Sequence, residues 1–159
     1  MRNKKISLLH ILPLNCIGGA ECAAKTTEYI SNEKFFFSLF FISRRSINYK
    51  SKFLNIIIFL KDAFYSIFKI LNYSPDVLII SLWKSCFIAI FLKILKPKIK
   101  IILFLHNYKS LNIIDYLFNN LIGIISFEIW ADSQATLNER IKSFYFINKK
   151  TDKKTISFI

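Results

Sequence analysis

Short apolar runs rich in β-branched and aromatic residues alternate along this chain with longer segments of helical periodicity. The runs occupy residues 6–12, 37–42, 76–81, 99–105 and 127–131, and another begins at residue 155. The periodicity predicts helices at residues 20–30, 83–95, 111–125 and 135–144. Strands that are apolar throughout need cover on both faces of a sheet. The pattern therefore predicts an α/β fold, a Rossmann-like doubly wound parallel sheet in a single domain.

One stretch, residues 53–71, fits two different arrangements. The first is a short strand at residues 56–60 followed by a helix at residues 63–71. The second is a single long helix, because the polar residues fall on one narrow stripe at helical spacing. These polar residues are Asn55, Asp62, Ser66 and Lys69.

The charge balance indicates an anionic partner. Lysine and arginine number 23 against 10 acidic residues, which gives a net charge of +13. A membrane surface, nucleic acid and phosphorylated ligands all satisfy such a charge. The basic residues are dispersed and no predicted helix carries a dense basic stripe, so nucleic acid is the least favoured of the three.

The cysteines and the hydropathy pattern predict a cytoplasmic protein. Three cysteines, none in a C-x-x-C pair, do not make a disulfide framework, and we expect small buried side chains in a reducing cytosol. The apolar runs at residues 53–71 and 113–130 both contain charged residues, so neither is a convincing membrane span. The apolar run at residues 6–14 is short and leads into a glycine turn, unlike a signal peptide.

The turn after the first predicted strand carries two adjacent glycines, Gly18 and Gly19. Glycines let a backbone approach a ligand closely, and the helix that follows offers free N–H groups to a phosphate or diphosphate. The pattern is neither G-x-G-x-x-G nor a Walker loop. From the residues alone, a ligand-binding loop and a plain strand-to-helix turn are equally good interpretations.

Polar residues also follow two later strands. His106 and Asn107 come directly after the strand at residues 99–105, at the sheet edge where parallel sheets bind ligands. An ordinary loop histidine is the alternative. Asp132 and Ser133 precede a helix, where capping is the simpler interpretation and ligand contact the other. His10, inside the first strand, is expected to be a core or edge residue.

The remaining candidate groups identify no specific chemistry. The acids Glu21, Asp76 and Asp115 have no spacing that marks an acid/base pair. Two histidines and three scattered cysteines give no metal-ligand spacing, so we predict no metal site.

Several segments, in chain order, resemble motifs of the retaining GT-B glycosyltransferases of the family 4 type (group 1). They are residues 17–21 (IGGAE), 74–80 (SPDVLII), 101–107 (IILFLHN) and 129–136 (IWADSQAT). The resemblance implies that residues 1–159 are the N-terminal, acceptor-side Rossmann-like domain, without the C-terminal nucleotide-sugar domain. It also implies that His106 is the catalytic, sugar-side residue. Gly18, Gly19, Asn107 and Ser133 would bind substrate.

The resemblance further implies a nucleotide-sugar donor, a saccharide or lipid-linked acceptor, a role in surface polysaccharide synthesis, and no cofactor. Three explanations fit the missing C-terminal half: a gene fragment, a shortened piece of a longer protein, or one subunit of a split transferase whose other half is a separate chain. The charge and the apolar helices add an anionic membrane surface as a partner, on the inner face of the plasma membrane. The alternatives are a non-catalytic membrane-docking or acceptor-binding subunit, a truncated gene remnant and, less favoured, a basic nucleic-acid-binding protein.

Overall fold

Strands and helices alternate through the described part of the chain, which in this computed structural model comprises residues 5–15, 19–27, 34–43, 51–143 and 156–158. The strands are β1 (Ile6–Leu14), β2 (Phe35–Ser43), β3 (Val77–Ile80), β4 (Lys100–Leu105), β5 (Glu128–Ala131) and β6 (Ile156–Phe158). The helices are α1 (Gly19–Thr27), α2 (Lys52–Tyr73), α3 (Leu82–Leu95), α4 (Ile113–Ile125) and α5 (Gln134–Ser143).

Within the described residues, the six strands form one parallel sheet in the order β2-β1-β3-β4-β5-β6. In the register, Leu9 of β1 pairs with Leu78 of β3, which in turn pairs with Ile101 of β4. The predicted Rossmann-like α/β fold is confirmed. The chain runs outward from β1 to β2 in one direction and from β3 to β6 in the other. The topological switch point therefore lies between β1 and β3, where such sheets bind ligands.

The two faces of the sheet carry separate apolar clusters. The larger cluster joins strand residues such as Leu78 and Ile80 to buried side chains of α2, α3, α4 and α5. Ile79 belongs to the smaller cluster with Phe37 and Ile102. Since successive strand residues point to opposite faces, the smaller cluster lies on the face away from α2 to α5.

The ambiguous stretch is one long helix, α2. Its buried side chains Ala63, Ile67 and Ile70 recur at spacings of four and three and pack into the larger cluster. The Oγ of Ser51 accepts a hydrogen bond from the Leu54 amide at the N-terminus. At the C-terminus, Ser74 adopts a left-handed conformation with φ of 52° and ψ of 56° and ends the helix.

The prediction that the cysteines are buried is confirmed for one residue and wrong for another. Cys86 of α3 is completely buried in the core, with its Sγ 3.5 Å from the Oδ1 of Asn119 in α4. Cys22, in α1, is exposed. Cys16 lies outside the described residues.

No helix in the described segments combines the length and the apolar character needed to cross a bilayer.

Candidate functional site

Three polar side chains linked by hydrogen bonds, which we call the polar chain, cross the switch point of the sheet. His10 lies within β1, Ser81 follows β3, and His106 follows β4. The Nε2 atom of His10 lies 2.8 Å from the Ser81 Oγ, and the same Oγ lies 3.0 Å from the Nε2 of His106. His10 and Ser81 are almost completely buried, whereas His106 is half-buried. The chain thus leads from the interior of the sheet to the edge where a ligand would bind.

Burial disfavours the charged form of both imidazoles. It lowers the pKa of His10 to about 3, and the neighbouring His106 contributes in the same direction. Burial also lowers the pKa of His106, while the carboxylates of Asp132 and Glu21 act against this shift. His10 is therefore neutral throughout the physiological range. His106 is the ring on which nearby negative charge favours a proton.

An aromatic side chain fixes the position of both rings. The ring centroid of Phe104 lies 4.1 Å from that of His106 and 6.2 Å from that of His10. Phe37 contacts His10 edge-on from β2, with centroids 6.3 Å apart. These contacts restrict rotation of the imidazoles, whose Nε2 atoms both lie within hydrogen-bond distance of the Ser81 Oγ.

The backbone is strained directly beside Ser81. Leu82, the first residue of α3, has a φ of 68°. A branched side chain rarely adopts this left-handed region, which costs about 1–3 kcal/mol. The strain occurs where the chain turns from β3 into α3 with Ser81 at the N-cap position. The Ser81 hydroxyl makes no cap hydrogen bond to the helix and bonds the two histidines.

The residues predicted to bind substrate lie at the same edge, as far as the structure describes them. Gly19 begins α1, and a Cβ built on it would meet nothing within 4 Å, so the space beside this helix start is open. Gly18 lies outside the described residues. Asn107 follows His106 and is half-buried. The substrate-binding roles of these residues stay predictions.

Ser133 caps α5, as the simpler interpretation of the sequence expected. Its Oγ accepts a hydrogen bond from the Thr136 amide at 3.1 Å and donates one to the Thr136 Oγ1 at 3.0 Å. The neighbouring Asp132 is exposed, and its amide donates to the Leu105 carbonyl at 3.2 Å. The start of α5 is thereby tied to the end of β4, directly before His106.

A buried ion pair supports the loop that follows His106. The Arg140 guanidinium lies 3.7 Å from the Asp115 carboxylate, which accepts a hydrogen bond from the Leu111 amide at 3.1 Å. Arg140 also donates to the Ser110 hydroxyl. Asn119 donates to the other carboxylate oxygen at 2.8 Å. The loop between β4 and α4 is therefore anchored from both α4 and α5.

The candidate acids lie in three different places. Asp76 lies at the opposite edge of the sheet, where it accepts a hydrogen bond from the Ser7 amide at 2.8 Å. Asp115 belongs to the ion pair with Arg140. Glu21 is buried in α1, close enough to His106 to influence its pKa. No group of His, Cys, Asp and Glu side chains with the arrangement of a metal site occurs in the described ranges.

A groove with a volume of about 1090 Å³ opens between α2 and the carboxyl ends of β1 and β2. Apolar and polar groups share its lining. Its polar side chains include Asn15, Ser43, Asp62, Lys69 and Lys84. Asp62 accepts a hydrogen bond from the Ser43 hydroxyl at 3.0 Å, so the two lysines are the charged donors that a ligand in the groove would meet.

No family model matches the sequence, and neither does any curated protein. Solved structures do match the fold. A lipopolysaccharide outer core galactosyltransferase, WaaB in its apo form, aligns over 94% of this chain and 44% of its own, with a TM-score of 0.61 and 16% identity. A putative UDP-N-acetylglucosamine 2-epimerase from Listeria monocytogenes aligns over 87% of this chain and 42% of its own, with a TM-score of 0.53 and 11% identity.

The chain thus spans less than half the length of these proteins, and the likeness is one of fold. The fold is Rossmann-like and resembles one half of the GT-B fold. Membership of family 4 stays a prediction.

Proposed function

We propose that this chain is the acceptor-side half of a glycosyltransferase that moves a sugar from a nucleotide-sugar donor to a saccharide or lipid-linked acceptor. The observation that carries the proposal is the polar chain ending at His106 on the carboxyl edge of the sheet. A fold shared with a galactosyltransferase supports it, as does the sequence resemblance at the same edge. The donor's nucleotide would be held by a second Rossmann-like domain facing this edge.

In the proposed reaction, the bond between the sugar's anomeric carbon and the donor phosphate breaks, and a bond to an acceptor hydroxyl oxygen forms. The hydroxyl proton passes to the departing diphosphate or to water, and the nucleoside diphosphate is released. The helix start at Gly18 and Gly19 would lie against the diphosphate, because backbone N–H groups and the helix dipole favour negative charge. His106 and Asn107 would contact the transferred sugar, and Ser133 would contribute from the next strand end.

The groove beside α2 is the proposed acceptor site. Its apolar lining includes Phe59 and Ile58, and Lys69 and Lys84 supply positive charge. An acceptor with an apolar part and an anionic phosphate or diphosphate matches this combination of surfaces. We therefore favour a lipid-linked acceptor over a free saccharide.

The test is a transfer assay with radiolabelled nucleoside diphosphate hexoses and a lipid extract of the source membranes. The purified chain is assayed alone and together with any second Rossmann-like half encoded next to it. We expect label to enter the lipid or polysaccharide fraction and a His106→Ala variant to lose at least about 100-fold in rate. A Lys98→Ala variant, changed at an exposed residue between α3 and β4, should retain full activity.

Two results would contradict the proposal. Transfer that is unaffected by His106→Ala would remove His106 from the site. If no combination of donor and second half gives transfer but the chain still binds the lipid acceptor, the non-catalytic acceptor-binding subunit becomes the better description.

We also propose that the chain docks on an anionic bilayer surface, where a lipid-linked acceptor is found. The outward face of α2 is apolar instead of polar: Phe53 is 72% exposed and Phe68 71%. Other large apolar side chains of α2 and α4 are exposed as well. They are Leu54, Ile56, Ile57, Leu60, Phe64 and Tyr65 on α2, and Ile113, Ile114, Leu117 and Leu121 on α4. We call these residues of α2 and α4, with Phe53 and Phe68, the apolar surface.

The charges around the apolar surface favour anionic lipid over a protein partner of mixed charge. Asp62 and Asp115 are the only acids in the sequences of α2, α3 and α4, and both are engaged, with Ser43 and with Arg140 respectively. Lys61 and Lys69 are exposed on α2. Aromatic side chains with flanking lysines are typical of protein surfaces that bind the bilayer interface.

Vesicle flotation tests this docking. We expect the protein to float with phosphatidylcholine vesicles that contain phosphatidylglycerol, and much less with phosphatidylcholine alone. High salt should release a substantial part of the bound protein, because it screens the lysines. Binding that is indifferent to both lipid charge and salt would overturn the proposed anionic surface.

A further inference from the structure

The serine hydroxyl between the two histidines restricts their protonation. The Ser81 hydroxyl carries one proton, which it can donate to only one neighbouring nitrogen. It contacts Nε2 of His10 on one side and Nε2 of His106 on the other. It must therefore accept from the second ring. When both rings are neutral, one Nε2 carries a proton and the other does not, so the two tautomers are opposite.

We infer that His10 and Ser81 are positioning residues that hold His106 with its Nε2 protonated and its Nδ1 available to a ligand. In this arrangement the His106 Nε2–H donates to the Ser81 Oγ, and the Ser81 hydroxyl donates to the bare Nε2 of His10. The inference rests on the proposed function only where it concerns the rate of sugar transfer. The opposite tautomers of the two rings follow from the hydrogen-bond geometry of His10, Ser81 and His106 alone.

The direction of donation follows from the surroundings of the two rings. His10 is only 2% exposed and has ring contacts with Phe37 and Phe104, so it remains neutral. His106 is nearer the surface and faces the negative charges of Asp132 and Glu21. Among the described residues, these two carboxylates favour the charged form of His106, and His106 in turn lowers the pKa of His10. When His106 is protonated, its Nε2 carries a hydrogen. The Ser81 Oγ can accept a hydrogen bond from this Nε2–H while the Ser81 hydroxyl donates its own proton to the Nε2 of His10.

The strained turn is consistent with this role. A serine at the N-cap position of a helix usually accepts a hydrogen bond from the first turn. Ser81 makes no such bond, and the chain tolerates a φ of 68° at Leu82 immediately after it. Backbone strain of this kind persists where the surrounding structure holds a side chain in a required position. Here the side chain in question is the hydroxyl that joins the two histidines.

The experiment is nitrogen NMR of the full chain labelled at histidine, which is simple because the sequence has two histidines. In the wild-type protein near neutral pH we expect a protonated Nε2 and a bare Nδ1 for His106, and the reverse for His10. Finding both rings in the same tautomer, or both in free exchange between tautomers, would overturn the inference. This measurement needs neither donor nor acceptor, so a failed transfer assay does not affect it.

Substitutions at Ser81 test the coupling. Ser81→Ala removes the acceptor for the His106 Nε2–H, so we expect the pKa of His106 to fall by about one pH unit and its tautomer to become mixed. Ser81→Thr keeps the hydroxyl and should restore both values. An unchanged pKa and tautomer in Ser81→Ala would contradict the inference. If that variant does not fold, the tautomers measured in the wild-type protein still test the inference.

The link to sugar transfer is tested separately. With the assay established, Ser81→Ala should lower kcat by about tenfold or more and leave the acceptor KM unchanged, and Ser81→Thr should recover most of the rate. An increase in the acceptor KM with kcat unchanged would assign Ser81 to acceptor binding instead of to the positioning of His106.

Discussion

Asp115 in α4 and Arg140 in α5 form an ion pair that is almost completely buried, with 3.7 Å between a guanidinium nitrogen and a carboxylate oxygen. The pair lies beneath the loop that follows His106. The Leu111 amide and the Ser110 hydroxyl are bonded to its two members. A contact between two helices thereby determines the path of the backbone that leaves the candidate site.

Removal of one partner of this pair should destabilise the fold strongly. Asp115→Asn leaves the Arg140 charge buried without its counter-ion, a loss of about 3–5 kcal/mol in the free energy of unfolding. Urea unfolding measures the difference. Lys142→Met, at an exposed residue of α5 near Arg140, should change stability by less than about 0.5 kcal/mol. Equal effects of the two variants would show that the ion pair contributes nothing specific.

The sequence predicted the fold well because the strands are short, apolar and separated by regular helices. For residues 53–71 it allows both one long helix and a strand followed by a helix, since this segment has more apolar residues than the core can bury. The exposed Phe53, Phe64 and Phe68 hide the helical period that Ala63, Ile67 and Ile70 define. The three-dimensional contacts, not the local pattern, distinguish the buried stripe from the exposed one.

The site was only partly predictable. The position of His106 at the carboxyl edge of the sheet is predictable, because this residue directly follows a strand. Ser81 was missed, because a serine after a strand is common and its partners are 71 and 25 residues away. Arg140 was missed because its helix looks like a charged surface helix. The spacing of Asp115 and Asn119, four residues apart in an apolar helix, was the available signal of a buried polar stripe.

The burial of His10 predicts a specific loss of stability in acid. The pKa of His10 is about 3 in the folded protein and has its ordinary value of 6.5 in the unfolded chain. Between these values the unfolded chain binds a proton that the folded protein does not. The free energy of unfolding therefore falls as the pH is lowered from 6.5 towards 3, by up to about 1.4 kcal/mol per pH unit from this residue.

A His10→Gln variant tests this prediction, because glutamine does not titrate. It should be less stable than wild type at pH 7, since the fit to Ser81 is changed, but the slope of its stability against pH should be shallower. Chemical unfolding at a series of pH values between 7 and 4 gives both quantities. Parallel curves for the two proteins would mean that His10 takes up its proton in the folded state.

Ser133 allows the capping role and the proposed binding role to be separated. Ser133→Ala removes the bond to the Thr136 amide and should cost about 1 kcal/mol of stability. Ser133→Asp keeps an N-cap acceptor and should be as stable as wild type. The added negative charge should nevertheless lower the rate of transfer, because it would repel the donor diphosphate. Full activity in Ser133→Asp would limit Ser133 to capping.

The apolar surface predicts separable contributions of aromatic and charged residues to membrane binding. Replacing Phe64 and Phe68 by serine should weaken binding to phosphatidylglycerol-containing vesicles by about tenfold for each ring, because each buries apolar area in the bilayer interface. Replacing Lys61 and Lys69 by glutamine should weaken it by about fivefold each, and only on anionic vesicles.

The matched control for the aromatic pair is the double variant Ile94→Ser and Leu95→Ser. These side chains are 67% and 59% exposed at the end of α3, outside the apolar surface. Their replacement should leave vesicle binding unchanged. Light scattering tests the alternative that the apolar surface binds a second copy of the chain. In that case the wild-type protein is a dimer, and the double variant Phe64→Ser and Phe68→Ser is a monomer. A wild-type protein that is monomeric and does not bind anionic vesicles would contradict the proposed docking.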